Sequence, residues 1–340
     1  MGAEATDRPP SQTDASGDAC RTATIDACRR EFVRVAHSFW IVPELIPPAA
    51  RDDIAVLYCF CRRLDDTVDD APDAAQARDA LALWRDELGG RAPARPLVEA
   101  LLASVRRNRL PRDCIEHLLD GMESDLGPVR IADDDELLRY SYRVSTAVGM
   151  LVAPLFGIRG ADADARIVDL SLALQLSNIL IGVAEDARRD RVYLPATRLA
   201  AAGLSAGDVL RDPRGRRLLP VLEGVAALAD RYYRSAAEGV QLVPLRYRHG
   251  VLFLIRGYGE LGRRAARGLP APSAPGLLPL REKVWWLAEL AMTAWHPRTL
   301  GIIAPSRHDP ALHRPLPGWR GAHVDAGWQD LGNWNGSWKP

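Results

Sequence analysis

The sequence is poor in most of the features that would place it quickly. It has no charge excess: 44 basic residues stand against 44 acidic ones in 340, so nothing in the balance favours nucleic acid or an acidic partner. Cysteine is scarce and odd in number. The five, Cys20, Cys28, Cys59, Cys61 and Cys114, lack zinc or redox spacing, and two lie in an apolar helical run, which reads as free thiols in a reducing cytosol. The seven histidines include no pair at i, i+4, so a histidine-based zinc site is not expected. No 18-residue apolar window is expected to span a membrane. The head, MGAEATDRPPSQTDASGDAC, lacks the order of a signal peptide. Strand-like alternation is missing too, and residues 1–22 show no periodicity, which predicts a cytosolic protein with a disordered head.

What is present is helix. From about Ile25 to Gly268 apolar residues recur at three- and four-residue spacing, broken at Pro47-Pro48, Gly89-Gly90, Gly127-Pro128 and Gly157 to Gly160. The spacing predicts helices over 25–40, 49–70, 73–88, 96–107, 111–125, 133–155, 162–188, 205–210, 214–239, 246–267 and 278–293. With 47% hydrophobic residues, a sizeable core is available, and an all-α single bundle is the expected fold. The expected order is a disordered segment 1–22, a folded domain 23–300 and a tail 301–340 rich in Pro, Gly and Trp. Trp319, Trp328, Trp334 and Trp338 in that tail are expected to dock on the protein's own surface, a membrane interface being the other reading.

Two acidic stripes carry the chemistry. In Cys61–Asp70, CRRLDDTVDD, a helix places Asp65 and Asp69 one turn apart at the edge of the apolar face, with Asp66 turned away. Like charges so placed repel, and burying them requires a compensating cation. Hard oxygen ligands favour Mg²⁺ or Mn²⁺ shared with a phosphate. Read alone, the stripe is equally an acidic surface turn. The second stripe lies in QLSNILIGVAEDARRDRVYLP, Gln175 to Pro195. There Gln175, Asn178, Gly182, Glu185, Asp186 and Arg189 share a narrow sector of an otherwise greasy helix, as expected of the wall of a wet cavity. A solvent-facing polar stripe is the plainer alternative. Two such helices facing each other suit a diphosphate bridged by Mg²⁺, and Arg62, Arg63, Arg188, Arg189 and Arg191 offer guanidinium groups for it.

HSFWIVPELIPPAARDDIAVLYCFCRRLDDTVDD, DGMESDL, LLRYSYRVSTAVGMLVAPLFG and ALQLSNILIGVAEDARRDRVYLP resemble, in order, the motifs of the squalene/phytoene synthase family. The likeness runs from about Arg30 to Gly268. It implies an isoprenoid synthase-type bundle with a central cavity and head-to-head condensation of two allylic isoprenyl diphosphates. In that scheme Mg²⁺ draws off one diphosphate, a cyclopropylcarbinyl diphosphate forms, and a second ionisation rearranges it. Carried over by residue, the resemblance implies metal binding by Asp65 and Asp69 and diphosphate contacts from Arg62 and Ser38. It gives Tyr140 a part in handling the intermediate, and it places Gln175, Asn178 and Asp186 in the second motif. Glu185 adds a further carboxylate to that stripe, and Arg191 a cation for substrate.

Three departures stand out. Ile181 and Gly182 occupy the places of an arginine and a metal-binding aspartate, Val144, Ser145 and Thr146 replace smaller residues, and Asp190 replaces a glycine. The loss at Gly182 implies a weakened metal site, ligation shifted onto Glu185 or Asn178, or a catalytically impaired relative acting as a binding or assembly protein. Within the family, phytoene formation from two geranylgeranyl diphosphates is the leading expectation. A squalene or dehydrosqualene synthase using farnesyl diphosphate is the alternative, with NADPH needed only for squalene. A cation-cyclising terpene synthase fits the metal stripes but not the DGMESDL and VYLP segments. Pocket depth, and hence chain length, is expected to be set by residues such as Phe39, Val144, Val148 and Leu174. The oily product and the tail tryptophans add an expectation of peripheral membrane contact.

Overall fold

The computed structural model describes residues 12–36, 46–271, 297–316 and 318–322, with isolated positions between 279 and 295. Long helices dominate because the apolar residues lie at helical spacing and glycine or proline marks the breaks. They are α1 (Gln12–Ala36), α2 (Arg51–Asp69), α3 (Ala74–Leu88), α4 (Pro96–Asn108), α5 (Arg112–Ser124), α6 (Asp134–Ser141), α7 (Ala147–Val152) and α8 (Ala161–Arg188). Then come α9 (Ala196–Ala201), α10 (Ala206–Arg211), α11 (Leu219–Glu238), α12 (Leu245–Ala266) and the one-turn α13 (Pro297–Leu300). Local chemistry sets several starts. The Asp73 carboxylate accepts from the amides of Ala75 and Gln76 at 2.9 Å ahead of α3, and Ser205 and Asp208 form a capping box on α10.

Helix α8 is the central post. It packs along α11 and α12, while α2 packs on α1 and α4. Its length and mean hydropathy of 1.8 would suit a membrane span by composition alone, but 67% of that window is buried inside the bundle. A core helix wrapped on most sides has the same composition as a span. Gly149 lets α7 approach α8 so closely that a Cβ there would fall on the Ser171 hydroxyl.

Three differences from the sequence reading have physical causes. Helix α1 begins at Gln12 rather than near Ile25; its first turns are polar in sequence, and Ile25, Cys28 and Phe32 join the core. The helix expected over 133–155 is divided, with a π-helical turn at Tyr142–Thr146 and a 3-10 turn at Ala153–Phe156. Proline at 154 and the wide turn break the regular ladder there. A two-residue parallel ladder, β1 (Val129–Arg130) with β2 (Arg191–Val192), is too short for any alternation to show in sequence. In the described part of the tail the chain packs on the body, as expected for Trp319: Leu316 and Ala322 are buried, and Trp319 lies 4.3 Å from the Tyr142 ring. Trp328, Trp334, Trp338 and most of 278–293 lie outside the described residues.

Candidate active site

The end of α2 meets the end of α8. Asp65 and Asp69 project from the last turns of α2, and Asp66 pairs with Arg62 at 2.7 Å and Arg63 at 3.4 Å. Asp69 instead reaches across to the segment after α8, where Arg191 donates to it at 3.0 Å and Arg189 forms an ion pair with it at 3.3 Å. The β1–β2 ladder holds Arg191 in place, its side chain only 12% exposed. Asp190 precedes it at a φ of 57°, the left-handed conformation that glycine adopts most freely and that aspartate tolerates. Its carboxylate pairs with Arg130.

Between the two helices lies Asp125, buried at the end of α5 and missed in the sequence reading. Its carboxylate accepts from the Tyr193 hydroxyl at 2.7 Å and from the Tyr140 hydroxyl at 3.0 Å, and the two rings stack with centroids 4.7 Å apart. Asp125 and Tyr193 sit in segments that carried the family likeness, DGMESDL and RVYLP. No sequence spacing links them, because the contact joins positions 68 residues apart.

The electrostatics follow from crowding. Burial, with the neighbouring charges of Asp69, Asp66 and Asp125, pushes the Asp65 carboxyl up to about 6 against the opposing pull of Arg62. Burial likewise lifts Asp186 to about 7, with Asp125 and Glu185 adding to the shift and Arg191 and Arg189 opposing it. Asp125 is also raised, chiefly by burial, despite its tyrosine hydrogen bonds. Burial drives Tyr140 well above the ordinary range. Carboxylates from α2, α5 and α8 thus repel one another in a partly desolvated site, where a divalent cation would relieve the strain.

On α8 the polar strip is accessible as expected: Gln175 and Asp186 are half-buried and Asn178 is exposed, while Leu176, Ser177, Ile179 and Leu180 are buried. Gly182 leaves room into which Asp186 leans, its Oδ2 lying 3.0 Å from where a Cβ at 182 would stand. Glu185 does not join the cluster closely. It is 56% exposed and engaged by Arg188 at 2.5 Å and Arg189 at 3.8 Å, because it sits one residue round the helix from Asp186. Arg62 is exposed beside Asp66, Arg63 faces Glu31 at 3.1 Å, and Ser38 and Phe39 lie outside the described residues. Val144, Val148 and Leu174 are half-buried apolar side chains.

Residues 32–274 match the family model described as squalene/phytoene synthase. The chain belongs to the squalene/phytoene synthase family. Among its relatives, the phytoene synthase of Cereibacter sphaeroides is 34% identical over 286 residues, covering 80% of this chain and 81% of that protein. The phytoene synthase of Thermus thermophilus is 37% identical over 247 residues, covering 68% and 84%. A presqualene diphosphate synthase of Rhodopseudomonas palustris is 30% identical, covering 79% and 98%. In fold, the chain resembles a dehydrosqualene synthase crystal structure with a TM-score of 0.69 at 23% identity, covering 80% of this chain and 97% of that one. The isoprenoid synthase-type bundle expected from sequence is therefore the fold observed. As a member of the squalene/phytoene synthase family the protein is a prenyltransferase by descent, and its departure at Gly182 lies beside the convergent carboxylates.

Proposed function

We propose that the protein condenses two geranylgeranyl diphosphates head to head, through a cyclopropylcarbinyl diphosphate, to phytoene. The observation that carries the reading is the meeting of Asp65 and Asp69 with Asp186 around Asp125 and Arg191, supported by the phytoene synthase relatives. Asp65, Asp69, Asn178 and Asp186 are the residues that would hold Mg²⁺, with Mn²⁺ as the other hard ion; Glu185 stands at the rim. Bound there, Mg²⁺ would supply charge to the departing diphosphate. Arg191 and Arg189 sit beside Asp69, where they would steer phosphate oxygens, with Arg62 and Gln175 as further polar contacts. The buried Tyr140 and Tyr193 hydroxyls, both turned to Asp125, would keep oriented dipoles near the carbocation, while Val144, Val148 and Leu174 exclude water from it.

Incubation of the purified chain with Mg²⁺ and either geranylgeranyl or farnesyl diphosphate tests this. Diphosphate release with a forty-carbon product from the longer substrate is expected. A thirty-carbon product from farnesyl diphosphate alone would move the protein to the squalene or dehydrosqualene alternative, with NADPH relevant only to squalene. No product from either substrate, with Gly182→Asp active, would leave the native chain as a binding or assembly relative. A place in the cytoplasm with peripheral membrane contact is proposed from the oily product, and flotation of the chain with liposomes tests it.

A further inference from the structure

Away from the carboxylate cluster, the fold brings together three residues that no spacing in the sequence connects. Asp169 lies on α8, and His308 and His313 lie on the segment after α13. His308 Nε2 is 2.9 Å from Asp169 Oδ2, and His313 Nε2 is 3.0 Å from Asp169 Oδ1. All three side chains are at most 2% exposed, and their ligating atoms lie within 4.8 Å of one another. Two imidazoles therefore aim the same nitrogen at one carboxylate, one at each oxygen, with ring centroids 4.4 Å apart.

We propose that Asp169, His308 and His313 form a structural site for one divalent transition ion of the zinc class. An ion seated between the imidazoles and the carboxylate would meet both Nε2 atoms and both carboxylate oxygens, a four-donor shell from three residues. Imidazole nitrogen with carboxylate oxygen suits zinc better than magnesium, which takes oxygen ligands and keeps its waters. The carboxylate is also held from behind: the Ser235 hydroxyl donates to Oδ2 at 2.5 Å, and Arg166 donates to that hydroxyl at 2.5 Å. Outer hydrogen bonds of this kind orient a ligand. The charge balance agrees. Asp169 is fully buried, where a carboxylate needs a compensating partner that an ion would supply together with the imidazoles.

The site would staple the C-terminal segment to α8, the helix that carries Asn178 and Asp186. The neighbouring contacts extend the same seam: the Tyr232 hydroxyl donates to the Leu312 carbonyl at 2.8 Å, and Arg166 donates to the Ser306 carbonyl at 2.7 Å. His308 and His313 are five apart, outside the i, i+4 spacing sought in the sequence, and a 3-10 turn at Pro310–His313 brings the second ring back to the first.

The test is metal analysis of the full chain, purified without a metal-affinity step, followed by chelation and titration with Zn²⁺ and Co²⁺. About one equivalent of zinc-class metal per chain is expected, with a lowered melting temperature after chelation that Zn²⁺ restores. Co²⁺ should give the strong visible absorption of a low-coordinate, nitrogen-ligated ion, which an all-oxygen carboxylate site does not give. The paired variant His308→Gln, His313→Gln keeps side-chain donors for Asp169 but should lose metal affinity by roughly 10-fold or more. Asp65→Asn, on the other cluster, should retain the metal. A wild-type chain that is metal-free, spectrally silent with Co²⁺ and indifferent to chelator overturns the proposal and leaves the three residues as a hydrogen-bonded clasp. If the glutamine variant does not fold, the Co²⁺ spectrum of the wild type decides alone.

Discussion

Asp69 and Arg191 meet at 3.0 Å, and this pair ties the last turn of α2 to the strand that follows α8. Through it the two acidic motifs become one site. Replacing Arg191 with Met should lower kcat/KM by at least about 10-fold, since a charge-assisted donor beside the proposed phosphate position is lost. A circular dichroism melt checks that the bundle persists; unchanged steady-state kinetics would remove Arg191 from the substrate site.

The crowded carboxylates give the metal-free protein an unusual pH dependence. Asp65 and Asp186 rise from 3.8 unfolded to about 6 and about 7 folded, so between about pH 4 and 7 the folded state binds more protons. Stability contributed by these groups is therefore present at low pH and falls as pH rises through the folded values, the reverse of a salt-bridged aspartate. Mg²⁺ requires the ionised forms, so its stabilising effect should grow over the same range. Thermal melts with and without Mg²⁺ at pH 5 and pH 8 read this directly; a larger Mg²⁺ shift at pH 5 contradicts the arrangement.

Asp125 holds two buried hydroxyls. Asp125→Leu leaves Tyr140 and Tyr193 without their acceptor, and each orphaned group costs about 1–3 kcal/mol. Asp125→Asn, which keeps a carbonyl oxygen, should lose less. Urea denaturation of the two variants measures the difference, and equal midpoints would show that these hydrogen bonds contribute little.

The space at Gly182 is already claimed by Asp186, whose Oδ2 would stand 3.0 Å from a new Cβ. Gly182→Asp should therefore turn Asp186 aside and present two carboxylates to the site. Tighter Mg²⁺ binding in the presence of inorganic diphosphate, by roughly 10-fold, is the expected calorimetric result. Weaker binding would show that the present position of Asp186 is the better ligand geometry.

Helix packing beside the site leaves no slack. Gly149→Ala sets a methyl group against the Ser171 hydroxyl, and overpacking of this kind costs about 1–3 kcal/mol. Gly149→Ala combined with Ser171→Gly should recover part of that loss in chemical denaturation, and no recovery would place the strain elsewhere.

Helical periodicity in one chain was enough to determine the all-α class, the core faces of α2 and α8, and the polar strip of Gln175, Asn178, Gly182 and Asp186. Those features depend on residues three or four apart, and the helix itself brings such residues together. The strip also placed Glu185 beside Asp186, but one residue of helical rotation directs Glu185 to Arg188 and solvent. The partnership of Asp125 with Tyr140 and Tyr193, the crossing of Arg191 to Asp69, and the meeting of Asp169 with His308 and His313 were decided by tertiary structure alone. Each joins distant segments through a side-chain contact whose spacing carries no period. Only the packing of the bundle, which fixes how far each helix end lies from the next, brings them within hydrogen-bonding reach.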